Sequence, residues 1–323
     1  MCKTMSSTSD KSRISEGLGR FVGICASVCG VLFASASAVA QCDDWRVGPL
    51  FDLPGVNGRV NAAITWDPDG GGPLPAQLVI AGLFTEASGT AVNYIARWDG
   101  SAWQPFISPT GDIGMSAEVY DIIALPPNFG SFPGQLIATG EFNFAGGVLT
   151  RGFARWDGTT WHPVANADGF IRAMTIWDPD GPGPQPPELV VGGFFSEMGT
   201  VSASNIAAWD GTNWRSLGDG FESPSWVYAL TTWDPDGAGP LPAQLIAAGT
   251  FHTRGSTVVN GIARWDGSAW QPLGNGLTGP NCSCVVFGLG VIPPGNGAFA
   301  GQLVAAGAGL TAPNSSEIAR WDG

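Results

Sequence analysis

The chain writes one short phrase five times, and that recurrence limits its fold more than any single residue does. The copies are Ile95-Ala96-Arg97-Trp98-Asp99-Gly100, Phe153-Ala154-Arg155-Trp156-Asp157-Gly158, Ile206-Ala207-Ala208-Trp209-Asp210-Gly211, Ile262-Ala263-Arg264-Trp265-Asp266-Gly267 and Ile318-Ala319-Arg320-Trp321-Asp322-Gly323. Successive Trp-Asp-Gly phrases lie 58, 53, 56 and 56 residues apart, a period that belongs to propellers and solenoids. A second tryptophan, Trp103, Trp161, Trp214 or Trp270, follows each of the first four copies.

Each unit divides into four short strands. The first is Val60-Asn61-Ala62-Ala63-Ile64-Thr65-Trp66 in one copy and Val227-Tyr228-Ala229-Leu230-Thr231-Thr232-Trp233 in another, apolar on both faces as a strand buried on both sides would be. A turn-rich loop follows, Asp67-Pro68-Asp69-Gly70, with relatives at Asp178-Pro179-Asp180-Gly181 and Asp234-Pro235-Asp236-Gly237. Units two and five replace it with Leu125-Pro126-Pro127-Asn128 and Ile292-Pro293-Pro294-Gly295. The second strand ends at Gly82, Gly140, Gly193, Gly249 or Gly307, where a missing Cβ signals close backbone approach. The Ile-Ala-Arg-Trp segment is the third strand, Asp-Gly turns the chain, and the second Trp opens the fourth.

Four strands per unit and no helical period imply an all-β fold, a β-propeller of five four-stranded blades. A β-sandwich array or β-solenoid is the competing architecture. The units span about 59–107, 118–165, 170–217, 226–274 and 285–323, in a single domain of residues 41–323. The fifth unit stops after its third strand, and Trp45-Arg46-Val47-Gly48-Pro49-Leu50 reads like Trp270-Gln271-Pro272-Leu273. Residues 43–50 are therefore expected to supply the missing outer strand and close the ring, against the alternative of a fragment from a longer array.

Residues 1–40 combine Lys3, Lys11, Arg13 and Arg20 with an apolar run from Phe21 to Val39 that ends in Ala38-Val39-Ala40. This is the n-region, h-region and cleavage pattern of a signal peptide, which implies a secreted, periplasmic or extracellular protein with no membrane insertion after cleavage. Cleavage would remove four basic and two acidic groups, moving the formal charge from −13 to −15 and leaving no lysine. Such a surface has no basic patch for phosphates, so nucleic acid is excluded as a partner class. A monomer kept soluble by net charge is expected.

Cys42, Cys282 and Cys284 remain after cleavage, too few for a disulfide scaffold and without a histidine neighbour for zinc. The repeated tryptophans are read as plugs between blades, each contributing at most about 4 to 6 kcal/mol from area alone. Asp99, Asp157, Asp210, Asp266 and Asp322 suit the cap of a hairpin turn, and Arg97, Arg155, Arg264 and Arg320 are expected to stack on Trp or pair with these aspartates. Repetition points to scaffold, since a catalytic residue is needed once and a turn in every blade. The Asp-Pro-Asp-Gly loops offer too few carboxylates for calcium and read as plain turns. His162 and His252 lie in different units without triad neighbours. No catalytic, cofactor-binding or metal residue is assigned, and no cofactor is expected.

Leu189-Val190-Val191-Gly192-Gly193-Phe194-Phe195, followed by Trp209-Asp210-Gly211 and Trp214, resembles the kelch-like β-propeller repeat, in the variant of fungal cell-polarity marker proteins and secreted bacterial repeat proteins. The resemblance covers residues 43–323 and implies the fold; kelch-like propellers serve as enzymes, lectins and docking platforms alike, so it implies no single function. Only unit three has the full Gly-Gly, and the hairpin between the two Trp is shorter than usual. The expected function is a non-enzymatic binding or surface-scaffold propeller with a protein or glycan ligand. A lectin is the alternative, and an extracytoplasmic hydrolase or oxidase using the central channel comes third. The expected contact surface is the variable segments Thr85–Asn93, Asn143–Gly152, Ser196–Asn205 and His252–Gly261.

Ring closure has a direct test. Deletion of residues 42–54 exposes a sheet edge and is expected to abolish cooperative thermal unfolding, as followed by circular dichroism; a truncated chain that melts like the full one would refute closure.

Overall fold

The computed structural model describes residues 55–237, 241–254, 257–277, 285–293, 301–310 and 317–321. The leader, residues 43–50 proposed to close the ring, and Cys42, Cys282 and Cys284 lie outside them. All regular structure among the described residues is β.

The chain builds a five-bladed β-propeller. Blade one is an antiparallel sheet of Arg59–Trp66, Gln77–Leu83, Ile95–Trp98 and Trp103–Pro105, in that spatial order. Blade two repeats it with Val119–Ala124, Leu136–Gly140, Phe153–Trp156 and Trp161–Pro163. Blade three uses Phe170–Trp177, Glu188–Phe194, Ile206–Trp209 and Trp214–Ser216, and blade four Val227–Trp233, Gln244–Gly249, Ile262–Trp265 and Trp270–Pro272. Blade five shows three strands among the described residues, Val285–Val291, Leu303–Ala308 and Ile318–Trp321. Residues from the first strands of all five blades line one channel, so the first strand is innermost and the second-Trp strand outermost.

Apolar residues on both faces of the sheets fuse neighbouring blades. Trp66, Val79 and Ile95 of blade one share a buried cluster with Val119, Ile122, Trp156 and Trp161 of blade two. Equivalent clusters join blades two and three, three and four, and four and five. Phe106, just past the outer strand of blade one, wedges between the two indoles of blade two, 5.3 Å from Trp156 and 5.7 Å from Trp161. The tryptophan pairs are thus largely packing elements.

The Trp that ends an inner strand adds a polar tie. Trp66 Nε1–H donates to the Gly134 carbonyl (2.8 Å), Trp177 to Ala243 (3.1 Å) and Trp233 to Gly301 (2.9 Å). Each acceptor stands just before a Gln, Gln135, Gln244 or Gln302, at the start of the second strand of the next blade or one residue ahead of it. Blade two has Leu125 in the Trp slot, and its loop sends Phe129 and Phe132 onto Trp209 of blade three instead, at 5.5 and 5.4 Å.

All five innermost strands carry one irregularity at one place. The pairing of the first two strands shifts register at Val60/Ala62, Val119/Asp121, Ile171/Ala173, Val227/Ala229 and Val286/Gly288. A β-bulge here inserts one residue and redirects its side chain. The glycines that end the second strand stand opposite these bulges. A Cβ on Gly82, Gly140, Gly193, Gly249 or Gly307 would lie 2.1, 2.1, 1.9, 1.8 or 2.1 Å from the carbonyl oxygen of Arg59, Glu118, Phe170, Trp226 or Val285. Glycine is required for room, because no positive φ is involved at these five positions. Gly192, particular to unit three, makes space for Val227 of blade four, whose Cγ1 would lie 2.5 Å from an added Cβ.

Gly193→Ala is therefore expected to cost at least about 1 to 3 kcal/mol, read as a lower midpoint in denaturant. Gly55→Ala, with no atom within 4 Å of the added Cβ, is expected to stay within about 0.5 kcal/mol of the parent.

Candidate functional site at the channel mouth

Side chains that repeat are absorbed by the framework. Asp99 Oδ1 accepts the Ser101 and Ala102 N–H groups, each at 2.8 Å, and Oδ2 accepts the Gln104 side-chain amide. Asp157, Asp210 and Asp266 cap their turns in the same way. His162 fills the Gln104 slot, its Nε2 lying 2.7 Å from Asp157 Oδ2. In the Asp-Pro-Asp-Gly loops, Asp67 accepts the Asp69, Gly70 and Gly71 N–H groups and Asp69 that of Leu74. Two of the four arginines depart from expectation: Arg97 lies over Phe106 (5.6 Å) and Arg155 over Phe132 (4.4 Å), neither over Trp nor within 4.0 Å of the turn aspartate. The phenylalanines stand beside the guanidinium stems and take their planar faces.

The segments Thr85–Asn93, Asn143–Gly152 and Ser196–Asn205 fold into small hairpins, among them Glu86–Ala87 with Thr90–Ala91 and Phe144–Ala145 with Val148–Leu149, and in the fourth segment, His252–Gly261, Thr253–Arg254 pairs with Thr257–Val258. Side chains preceding the inner strands pin the first three. Asn57 Oδ1 accepts the Thr85 and Glu86 N–H groups, Ser116 Oγ those of Asn143 and Phe144, and Asp168 Oδ1 those of Ser196 and Glu197. By strand register they rise at the same end of the propeller as the five bulges, further from the axis.

The bulges carry Asn61, Tyr120, Arg172, Tyr228 and Phe287, which all line the channel. Their neighbours form a belt around its mouth. Asn61 Nδ2 donates to the Val119 carbonyl and to Glu118 Oε1, both at 2.7 Å, and Arg59 binds the same Glu118 oxygen at 2.6 Å. Tyr120 donates its hydroxyl to Glu141 and carries the Arg172 guanidinium 3.7 Å above its ring centroid. Burial, with this hydrogen bond, holds the Tyr120 phenol above its usual range, so it stays a donor at neutral pH. Arg172 also lies 5.6 Å from Trp226, which stacks at 5.6 Å on Tyr228, and Tyr228 meets Phe287 at 5.5 Å. Deeper in the channel, Asp121 Oδ2 accepts the Met174 N–H across blades at 2.8 Å, covering a donor that the unpaired inner edge would otherwise present.

The channel has a volume of about 330 Å³, at the lower end of the roughly 300–1,000 Å³ of small-molecule sites. Aromatic walls, a cation and hydrogen-bonding groups meet at its mouth. Nothing in the repeats had pointed to the bulge position, because in the sequence Asn61 or Tyr228 looks like one more residue of an alternating strand. The readable signal was the unvarying glycine at the end of each second strand, which marks where the inner strand crowds it, while the inner-strand residues themselves vary at several positions. Neither a known protein family nor a curated protein matches the chain.

The turn aspartates set an acid limit. Backbone donation from Ala102, then donors from Ser101 and Gln104, hold the Asp99 carboxyl below the ordinary value of 3.8; at Asp266 the Ala269 and Ser268 N–H groups lead. A depressed folded value stabilises above the ordinary carboxylate range and is lost as pH falls through the folded one. Tm is expected to hold from about pH 7 to 5 and to fall below about pH 4. Asp99→Asn with Asp266→Asn should lower Tm at pH 7 and flatten the acid decline in a thermal-melt series.

Proposed function

We propose that this chain is a kelch-like, extracytoplasmic binding propeller that takes its ligand at the channel mouth and performs no catalysis. One observation carries the reading: the bulge positions hold Asn61, Tyr120, Arg172, Tyr228 and Phe287 and all five line the channel, while the glycine opposite each bulge and the Trp-Asp-Gly phrase recur in every blade. Side chains kept only for ring stability would follow the repeat as the tryptophans and glycines do. The bulge leaves the redirected residue outside the sheet pairing, on the channel wall. Secretion rests on the leader and on the acidic, lysine-free composition after it.

A lectin is the form of this reading that the aromatics favour. Phe170 and Phe287 are exposed at 44% and 39%, unusual for large apolar side chains beside a channel, and aromatic faces stack on sugar C–H faces. The carboxylates at the mouth already have partners, Glu118 with Arg59 and Asn61, Glu141 with Tyr120, which speaks against a spare acid-base pair.

A glycan-array screen with and without calcium, run beside a Tyr228→Ala/Phe287→Ala variant, tests the reading. Saturable binding that the variant weakens by about tenfold or more is expected. Binding untouched by the variant yet abolished by Phe144→Ser with Leu149→Ser would move the site to the rim hairpins. Turnover of a bound polysaccharide by the purified protein would refute the non-enzymatic reading.

A further inference from the structure

We propose that Arg172 is the anion receptor of the channel mouth and that the ligand is a singly charged sugar acid, a hexuronate residue whose carboxylate meets Arg172 while its ring lies against Tyr228 and Phe287. The proposal rests on the binding reading above and narrows it to one ligand chemistry.

Arg172 stands apart from Arg59 at the mouth and from Arg215 on the outer strand of its own blade. Arg59 is committed to Glu118 at 2.6 Å, and Arg215 to Glu188 through two hydrogen bonds. Among the described residues, no carboxylate lies within 4.0 Å of Arg172, and its buried Nε has no hydrogen-bond partner. A guanidinium carries five N–H donors in one plane and no acceptor. The Tyr120 ring lies 3.7 Å from its Cζ and its Nε is shielded from solvent, which leaves the terminal edge with the two Nη groups for a ligand. That edge is the one that grips a carboxylate with two parallel bonds.

The acidic groups around it are answered by other partners. Glu118 takes Arg59 and Asn61, Glu141 takes the Tyr120 hydroxyl, and Asp121 takes the N–H groups of Ile122 and Met174. Arg172 is therefore an unpaired guanidinium on the wall of a channel in a chain of formal charge −13. That surrounding charge opposes multiply charged anions, and one arginine matches one negative charge. Tyr228 and Phe287 meet at 5.5 Å with their planes 59° apart, which makes an apolar corner beside the cation. A ligand that satisfies both needs a single carboxylate on a ring with an apolar face. A hexuronate has both, and the channel volume of about 330 Å³ suits one or two such units rather than a buried chain.

Isothermal titration of the full-length protein with the methyl glycosides of galacturonate and glucuronate, each carrying a single carboxylate and each compared with its methyl ester, is the test. At least one acid form is expected to bind about tenfold or more tighter than its ester, because esterification removes the charge and one acceptor. Arg172→Gln should abolish that difference, and Arg172→Lys should restore part of it. The acid-to-ester comparison is made on the parent protein, so it stands even if a variant misfolds. Equal affinity for acid and ester, tighter binding of a singly sulfated hexoside than of the acids, or unchanged acid binding in a folded Arg172→Gln protein would each overturn the proposal. So would silence toward both acids; the mouth-binding reading would then still stand if the array yields a ligand lost in Tyr228→Ala/Phe287→Ala.

Discussion

Five contacts between a bulge carbonyl and a glycine govern the inside of this molecule. In each blade the inner strand bows toward the second strand, and the carbonyl of Arg59, Glu118, Phe170, Trp226 or Val285 presses where any Cβ would stand. The crowding is repeated because it has a product. It turns one side chain per blade out of the sheet and into the channel, and the five together make the chemical surface at the mouth. Packing thus fixes where these residues point while leaving open what they are.

The outside follows a different rule. Blades are sealed by side chains that cross from one unit to the next, with Phe106 between Trp156 and Trp161 and the Trp66, Trp177 and Trp233 indoles on backbone carbonyls. A hydrogen bond inside such a seal contributes about 0.5 to 1.5 kcal/mol beyond the burial. Blade two lacks the indole and uses the ring faces of Phe129 and Phe132 on Trp209. Two chemistries fill one joint, which explains how its loop could change without the blade changing.

Much of the framework was legible in the residues. The period gave the blades, Asp-Gly gave the hairpin caps, and the glycine ending each second strand announced a close approach. What escaped was directional. A bulge inserts a residue without altering composition, so Tyr120 and Arg172 cannot be told from ordinary strand positions until the pairing register is known. Arg97 and Arg155 were misplaced for a similar reason: Phe106 stands where the other units carry no aromatic residue, and Phe132 lies in the loop that takes the place of Asp-Pro-Asp-Gly in unit two. Variation among the segments between the second and third strands drew attention to the rim. Those segments prove to be hairpins, three of them pinned by Asn57, Ser116 and Asp168.

The bulge also bears on how such a protein can change over time. Where the bulge residue is exposed, as Phe287 is, it can be exchanged with little repacking, whereas Asn61 and Tyr120 are buried against groups of the next blade and tie the mouth together. Duplication of a blade copies the socket along with the wall, and selection then has a separate variable in each copy. A ring built this way separates inheritance of shape from inheritance of taste.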